Sequence, residues 1–136
     1  MLTATQEDVA RRCLAGAEDD SMTFPQIVGA LFAAGFEGYA VDLSSGTAQY
    51  YPQEGEPVTL AIHRGETPIA PRFDKAAVRA AIGEAQALVP GYTYRGFCEK
   101  VRAAGCAGYM VSFTGRCALY YGRTAETHVE RFPAAN

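Results

Sequence analysis

The apolar positions along this chain change period from helical to alternating, and the same change then comes round a second time. Behind Thr5 and Asp8, which read as a capping box, Ala10, Cys13, Leu14 and Ala17 recur at helical spacing and predict a helix over about residues 6–17. A polar link over residues 18–21 leads to a second helix. It opens with the capping box Thr23/Gln26 and carries Phe24, Ile27, Val28 and Leu31 on one stripe. Pro25 fits in its first turn, where a missing N–H costs nothing. Gly35 is placed for a left-handed C-cap, with Phe36 packing back on the last turn.

From Tyr39 the period falls to two, with Tyr39, Val41 and Leu43 on one strand face and Ala40, Asp42 and Ser44 on the other. A two-residue turn at Ser45-Gly46 sets Leu43 opposite Ala48 and Val41 opposite Tyr50. A three-residue loop, Gln53-Glu54-Gly55, then sets Val58 opposite Tyr50 and Leu60 opposite Ala48. The expected inner face of this meander is Val41, Leu43, Ala48, Tyr50, Val58, Leu60 and Ile62.

After a Pro-containing crossover, Asp74 caps a helix with Val78, Ala81, Ile82 and Ala85 at helical spacing, which ends at the segment VPGY. A further helix, Tyr94 to Arg102, carries the stripe Tyr94, Phe97, Cys98 and Val101 and ends at Gly105. Strands follow from Tyr109 to Thr114, from Cys117 to Tyr121 after a Gly115-Arg116 turn, and from Glu126 to Phe132. Residues 133–136 are expected to fray.

The recurrence is a gapless repeat: Met22–Tyr51 returns as Tyr92–Tyr121 at an offset of 70 residues. From Thr23 and Thr93 onward, ten of 29 positions are identical, among them Gly35/Gly105, Gly38/Gly108, Tyr39/Tyr109, Val41/Val111 and Tyr50/Tyr120. Composition alone gives roughly two. Two copies are too few for a solenoid. The expected fold is therefore α+β: a duplicated helix-helix-three-stranded antiparallel meander, its units related by a pseudo-two-fold, with helices on one face. Residues 1–136 are expected to form one domain, with halves 5–63 and 73–133 joined by a crossover at 64–72, because separate units of this size would be marginal.

Composition narrows the partners. A net charge of −3 with no run of Lys and Arg lacks the footprint of nucleic-acid binding. No segment approaches a membrane span, and the opening MLTATQEDVARR does not read as a secretion signal, so a soluble cytoplasmic protein is expected. Four cysteines without a CxxC pair read as small core residues, since Cys98 and Cys106 stand where the first copy has Val28 and Phe36. Neither phosphate-loop nor nucleophile motifs occur, and no cofactor is expected.

Candidate chemistry lies where the copies differ. The first-copy triplet Val58, Leu60, Ile62 becomes His128, Glu130, Phe132. Two residues apart on a strand, His128 and Glu130 point the same way, and the expected register puts Tyr120 opposite His128. Such a cluster can line a pocket in which Glu130 orients the imidazole and Tyr120 donates a hydrogen bond. It can equally be a satisfied polar patch, and a one-residue slip would turn His128 outward. Arg116, Arg123 and Tyr50 are candidate ligand-binding residues, although loop arginines are commonly solvated. A metal site from His128, Glu130 and Cys117 is disfavoured because Cys117 belongs to the opposite strand face.

The run AGCAGYMVSFTGRCALYYGRTAETHVERFP, Ala104 to Pro133, resembles the YbcV-like family of small bacterial proteins of unknown function, some labelled phage envelope protein. The resemblance covers about residues 20–133 and is most specific in the H-x-E-x-F-P ending. It implies no activity, cofactor or catalytic residue. Two functions are therefore carried forward. One is a module that binds a small molecule or a protein partner in the groove between its halves. The alternative is a cofactor-free acid/base enzyme, of isomerase, cyclase or lyase type, using His128, Glu130 and Tyr120. A free strand edge also makes a homodimer possible.

Overall fold

A computed structural model describes residues 4–132, so the expectation for residues 133–136 lies outside the described residues. The fold is α+β. Helices α1 (Ala4–Glu18) and α2 (Phe24–Ala33) precede strands β1 (Phe36–Asp42), β2 (Thr47–Pro52) and β3 (Val58–Ala61). Helices α3 (Lys75–Ala87) and α4 (Tyr94–Ala103) then precede β4 (Cys106–Ser112), β5 (Cys117–Gly122) and β6 (Thr127–Arg131). All neighbouring strands are antiparallel, in one sheet of order β3-β2-β1-β4-β5-β6.

The bounds of α2, β1 and β2 recur in α4, β4 and β5 at the offset of 70, down to a bulge between Phe36 and Gly38 and between Cys106 and Gly108. The first helix of each half follows a different spacing. Buried Val9 and Cys13 of α1 match buried Val78 and Ile82 of α3 at an offset of 69, because the link to the next helix is one residue longer in the second half.

The helix signals act through local hydrogen bonds. The Thr23 hydroxyl accepts the Gln26 N–H, and the Gln26 side chain accepts the Thr23 N–H. Thr93 and Asp74 cap α4 and α3 in the same way through single bonds. Thr5, by contrast, lies inside α1 and does not cap it, because the helix already runs through Ala4.

Two expectations about the hairpins need correction. The first hairpin closes through a four-residue loop: Val41 pairs with Ala48 and Tyr39 with Tyr50, two residues from the expected register. The Asp42 carboxylate explains this, since it accepts the N–H groups of Ser44 and Ser45 while Gly46 donates to the Asp42 carbonyl. The second hairpin matches it, with Ser112 accepting from Gly115. Strands β1 and β4 also begin three residues earlier than alternation suggests, directly after Gly35 and Gly105 at φ 96° and 90°. A shift of two preserves the face, so the expected inner face stands. The register of β2 with β3 is as expected, Tyr50 opposite Val58 and Ala48 opposite Leu60, across a longer loop.

Inner-face residues of both halves and the helices form one core cluster. At its centre Tyr39 stacks on Tyr50 at 5.5 Å between ring centroids, Tyr109 lies 5.3 Å from Tyr120, and the Tyr94 and Tyr109 hydroxyls are 2.6 Å apart. Cys13 and Cys106 are buried here as small core residues.

Candidate functional site

The site builds from β6. Its register puts His128 opposite Tyr120 and Glu130 opposite Ala118, so both polar side chains lie on the helix-facing side of the sheet. His128 Nε2 lies 3.0 Å from Glu130 Oε1, and Gln86 Nε2 of α3 donates to Glu130 Oε2 at 3.2 Å. One carboxylate thus joins a strand imidazole to a helix amide. The side chains are partly sheltered, at 14% exposure for His128 and 28% for Glu130.

Glu130 also lines an open groove of about 360 Å³, whose other wall is α3 through Ala76, Arg79, Ala80, Ile82, Gly83 and Gln86. The equivalent strand residues in the first half are covered. There α1 packs on β3, Val58 and Leu60 are buried, and the Glu18 carboxylate accepts the His63 N–H at 2.6 Å. A second, smaller hollow lies between α3 and α4, beside the Lys100–Glu84 ion pair. Both hollows are inside the second half. At the seam between halves, where a groove was expected, β1 and β4 are hydrogen-bonded neighbours and Tyr39 packs edge-on to Tyr109.

The structure thus brings His128, Glu130 and Tyr120 onto one face of adjacent strands. Tyr120 is packed against the rings of Phe97 and Tyr109, and burial pushes its phenol up, with Cys106 and the Glu130 charge adding to the effect. His128 itself is not among the groove-lining residues.

The three expected ligand-binding residues are not brought together. Tyr50 is a core residue stacked on Tyr39. Arg116 precedes β5 and Arg123 follows it, which sets them at opposite ends of that strand, about 20 Å apart at a strand's rise. Arg123 donates to the Ile69 carbonyl of the crossover. Cys117 lies on the outer face, away from His128 and Glu130, and among the described residues no three His, Cys, Asp or Glu side chains cluster for a metal.

Sequence reasoning missed Gln86 and the groove wall on α3. Ala76, Ala80 and Gly83 do recur at helical spacing off the buried stripe, but nothing local indicates that this side of α3 stands away from β6.

The model of a family described as "Protein of unknown function (DUF1398)" matches residues 14–130, a span that includes β6 up to Glu130. No curated protein matches the chain. No helix among the described residues is long and apolar enough to cross a membrane.

Proposed function

We propose, for a chain that belongs to the family of proteins of unknown function DUF1398, that it is a binding module whose site is the groove between α3 and β6. The observation that carries this is the contrast between the halves. Where Val58 and Leu60 are sealed under α1, the matching His128 and Glu130 stand beside an open groove. Burying apolar side chains there would be the stabilising choice, so a retained polar pair at an open groove favours a ligand over packing.

Glu130 is the natural anchor. His128 and Gln86 hold its two oxygens in place, and it can accept a hydrogen bond from an amine, amide or hydroxyl of a small ligand. Arg79 across the groove can meet an acidic group on the same ligand. The YbcV-like grouping of bacterial proteins belongs to this proposal, on the H-x-E-x-F-P ending, and so does a cytoplasmic setting.

The 3.0 Å His128–Glu130 contact also favours a second reading, a cofactor-free acid/base enzyme with His128 as base, Glu130 as its orienting group and Tyr120 as donor. It ranks second because Tyr120 is packed among rings and His128 does not line the groove.

A ligand-observed NMR fragment screen, with hits mapped on the amide spectrum, tests the proposal. Shifts at Gly83, Gln86 and Glu130 that vanish in Glu130→Leu support it. Hits that map elsewhere, or that bind Glu130→Leu as well as the parent protein, count against it.

A further inference from the structure

Strand β6 is an edge of the sheet, and the direction of its backbone groups follows from the bonds at its two ends. Gly122 N–H donates to the Glu126 carbonyl and Phe132 N–H to the Arg116 carbonyl, each at 2.8 Å. Hydrogen-bonded pairs alternate along an antiparallel ladder, so His128 and Glu130 also turn their backbone groups toward β5. The N–H and C=O groups of Thr127, Val129 and Arg131 therefore point away from the sheet, and all three residues are exposed. Val129, at 42% exposure, is the apolar one.

This edge fits a second copy of itself. If β6 pairs antiparallel with another β6 about a two-fold axis at Val129, residues whose numbers sum to 258 face each other. Val129 then meets Val129 of the other copy, and Thr127 meets Arg131 in hydrogen-bonded pairs. His128 faces Glu130, and Glu130 faces His128, in the closer non-hydrogen-bonded pairs, where polar side chains meet across the strands. Each imidazole gains a second carboxylate and each carboxylate a second imidazole, and no like charges stand directly opposite.

The other edge lacks these features. β3 is four residues long, follows Pro57, and its inner residues Val58 and Leu60 are already buried under α1. A partner strand would gain nothing from them.

From the outward backbone groups, the exposed Val129 and the reciprocal His128/Glu130 match, we infer that β6 is the interface of a homodimer in which two six-stranded sheets join into one. The two α3–β6 grooves would then open side by side above a shared floor of two His128–Glu130 pairs. This inference goes beyond the groove's proposed role and is read by mass rather than by ligand binding, so the two can fail separately.

Sedimentation equilibrium across a concentration series is the test. The wild-type chain should approach twice its 14.6 kDa mass. Val129→Pro should remain monomeric with an unchanged far-UV spectrum, because it removes only an outward N–H on an edge strand. A charge exchange covers the case in which the proline variant misfolds: His128→Glu and Glu130→Lys should each be monomeric alone and should form a mixed dimer together. A wild-type chain that stays monomeric at every concentration overturns the inference. So does a dimer that survives Val129→Pro, or a mixture of charge variants that does not associate.

Discussion

Ala40 and Met110 face each other across the β1–β4 seam, and they are also the two copies of one repeat position, 70 residues apart. A position paired with its own equivalent lies beside a two-fold axis. The neighbouring pairs obey the same operation, Tyr39 with Val111 mapping onto Val41 with Tyr109. The strand pairing at the seam thus follows the offset of the sequence repeat, which lets residues 70 apart be compared position by position.

The equivalent glycines Gly35 and Gly105 make the first prediction. Both adopt positive φ, which costs an alanine about 1–2 kcal/mol. A methyl at Gly35 would approach only the Gln6 side chain at 3.1 Å, whereas at Gly105 it would collide with the Arg72 carbonyl and lie 2.9 Å from the Phe73 Cα. Gly105→Ala should therefore cost about 3 kcal/mol or more, well above Gly35→Ala. Urea denaturation of the two variants compares them, and equal costs would mean that residues 72–73 do not press on Gly105.

Alkaline pH should unfold the protein cooperatively. Burial pushes the Cys98 and Cys106 thiols up to about 11, and holds the Tyr39, Tyr94 and Tyr109 phenols well above their ordinary value. In the unfolded chain these groups ionise near about 8.5 and 10. The unfolded state thus loses protons first, so stability is level at neutral pH and falls as pH rises past the thiol range. Denaturation midpoints measured over that range should decline, and after an early contribution from the partly exposed Tyr51, Tyr92 and Tyr121 the remaining tyrosinate absorbance should appear together with loss of near-UV circular dichroism. Complete ionisation of all eight tyrosines while the near-UV signal persists would show that the core phenols are not enclosed.

The β5–β6 register can be checked directly. Leu119/Val129 and Cys117/Arg131 are non-hydrogen-bonded pairs, in which Cα atoms approach to about 4.5 Å. NMR should show Hα–Hα contacts within both pairs. Contacts from Leu119 to His128 or Glu130 instead would mean a one-residue slip that turns the polar pair to the outer face.

Much of this was legible in the chain itself. The offset of 70, the face of each strand, the Thr23 and Asp74 caps and the placing of His128 opposite Tyr120 all follow from local periodicity or from comparing the copies. The hairpin registers escaped by two residues because the side chain of Asp42, rather than the dipeptide at the turn, organises the loop. Gln86 escaped for a different reason. It meets Glu130 across 44 residues, at a helix–strand spacing set by packing elsewhere in the second half. The grouping of Arg116, Arg123 and Tyr50 had no such geometric basis, and they stand at separate places in the fold.

The most direct measurement is the stability of the double variant His128→Val, Glu130→Leu, which gives β6 two inner residues of the kind β3 carries, a valine and a leucine. If the polar pair is kept for a ligand, the variant should be at least as stable as the parent in urea denaturation, because added apolar burial offsets the lost hydrogen bonds. It should also lose the groove's ligand contacts. A loss of more than about 2 kcal/mol, with β6 amides exchanging faster, would contradict the account and show that the His128–Glu130–Gln86 chain serves to fasten β6 to α3.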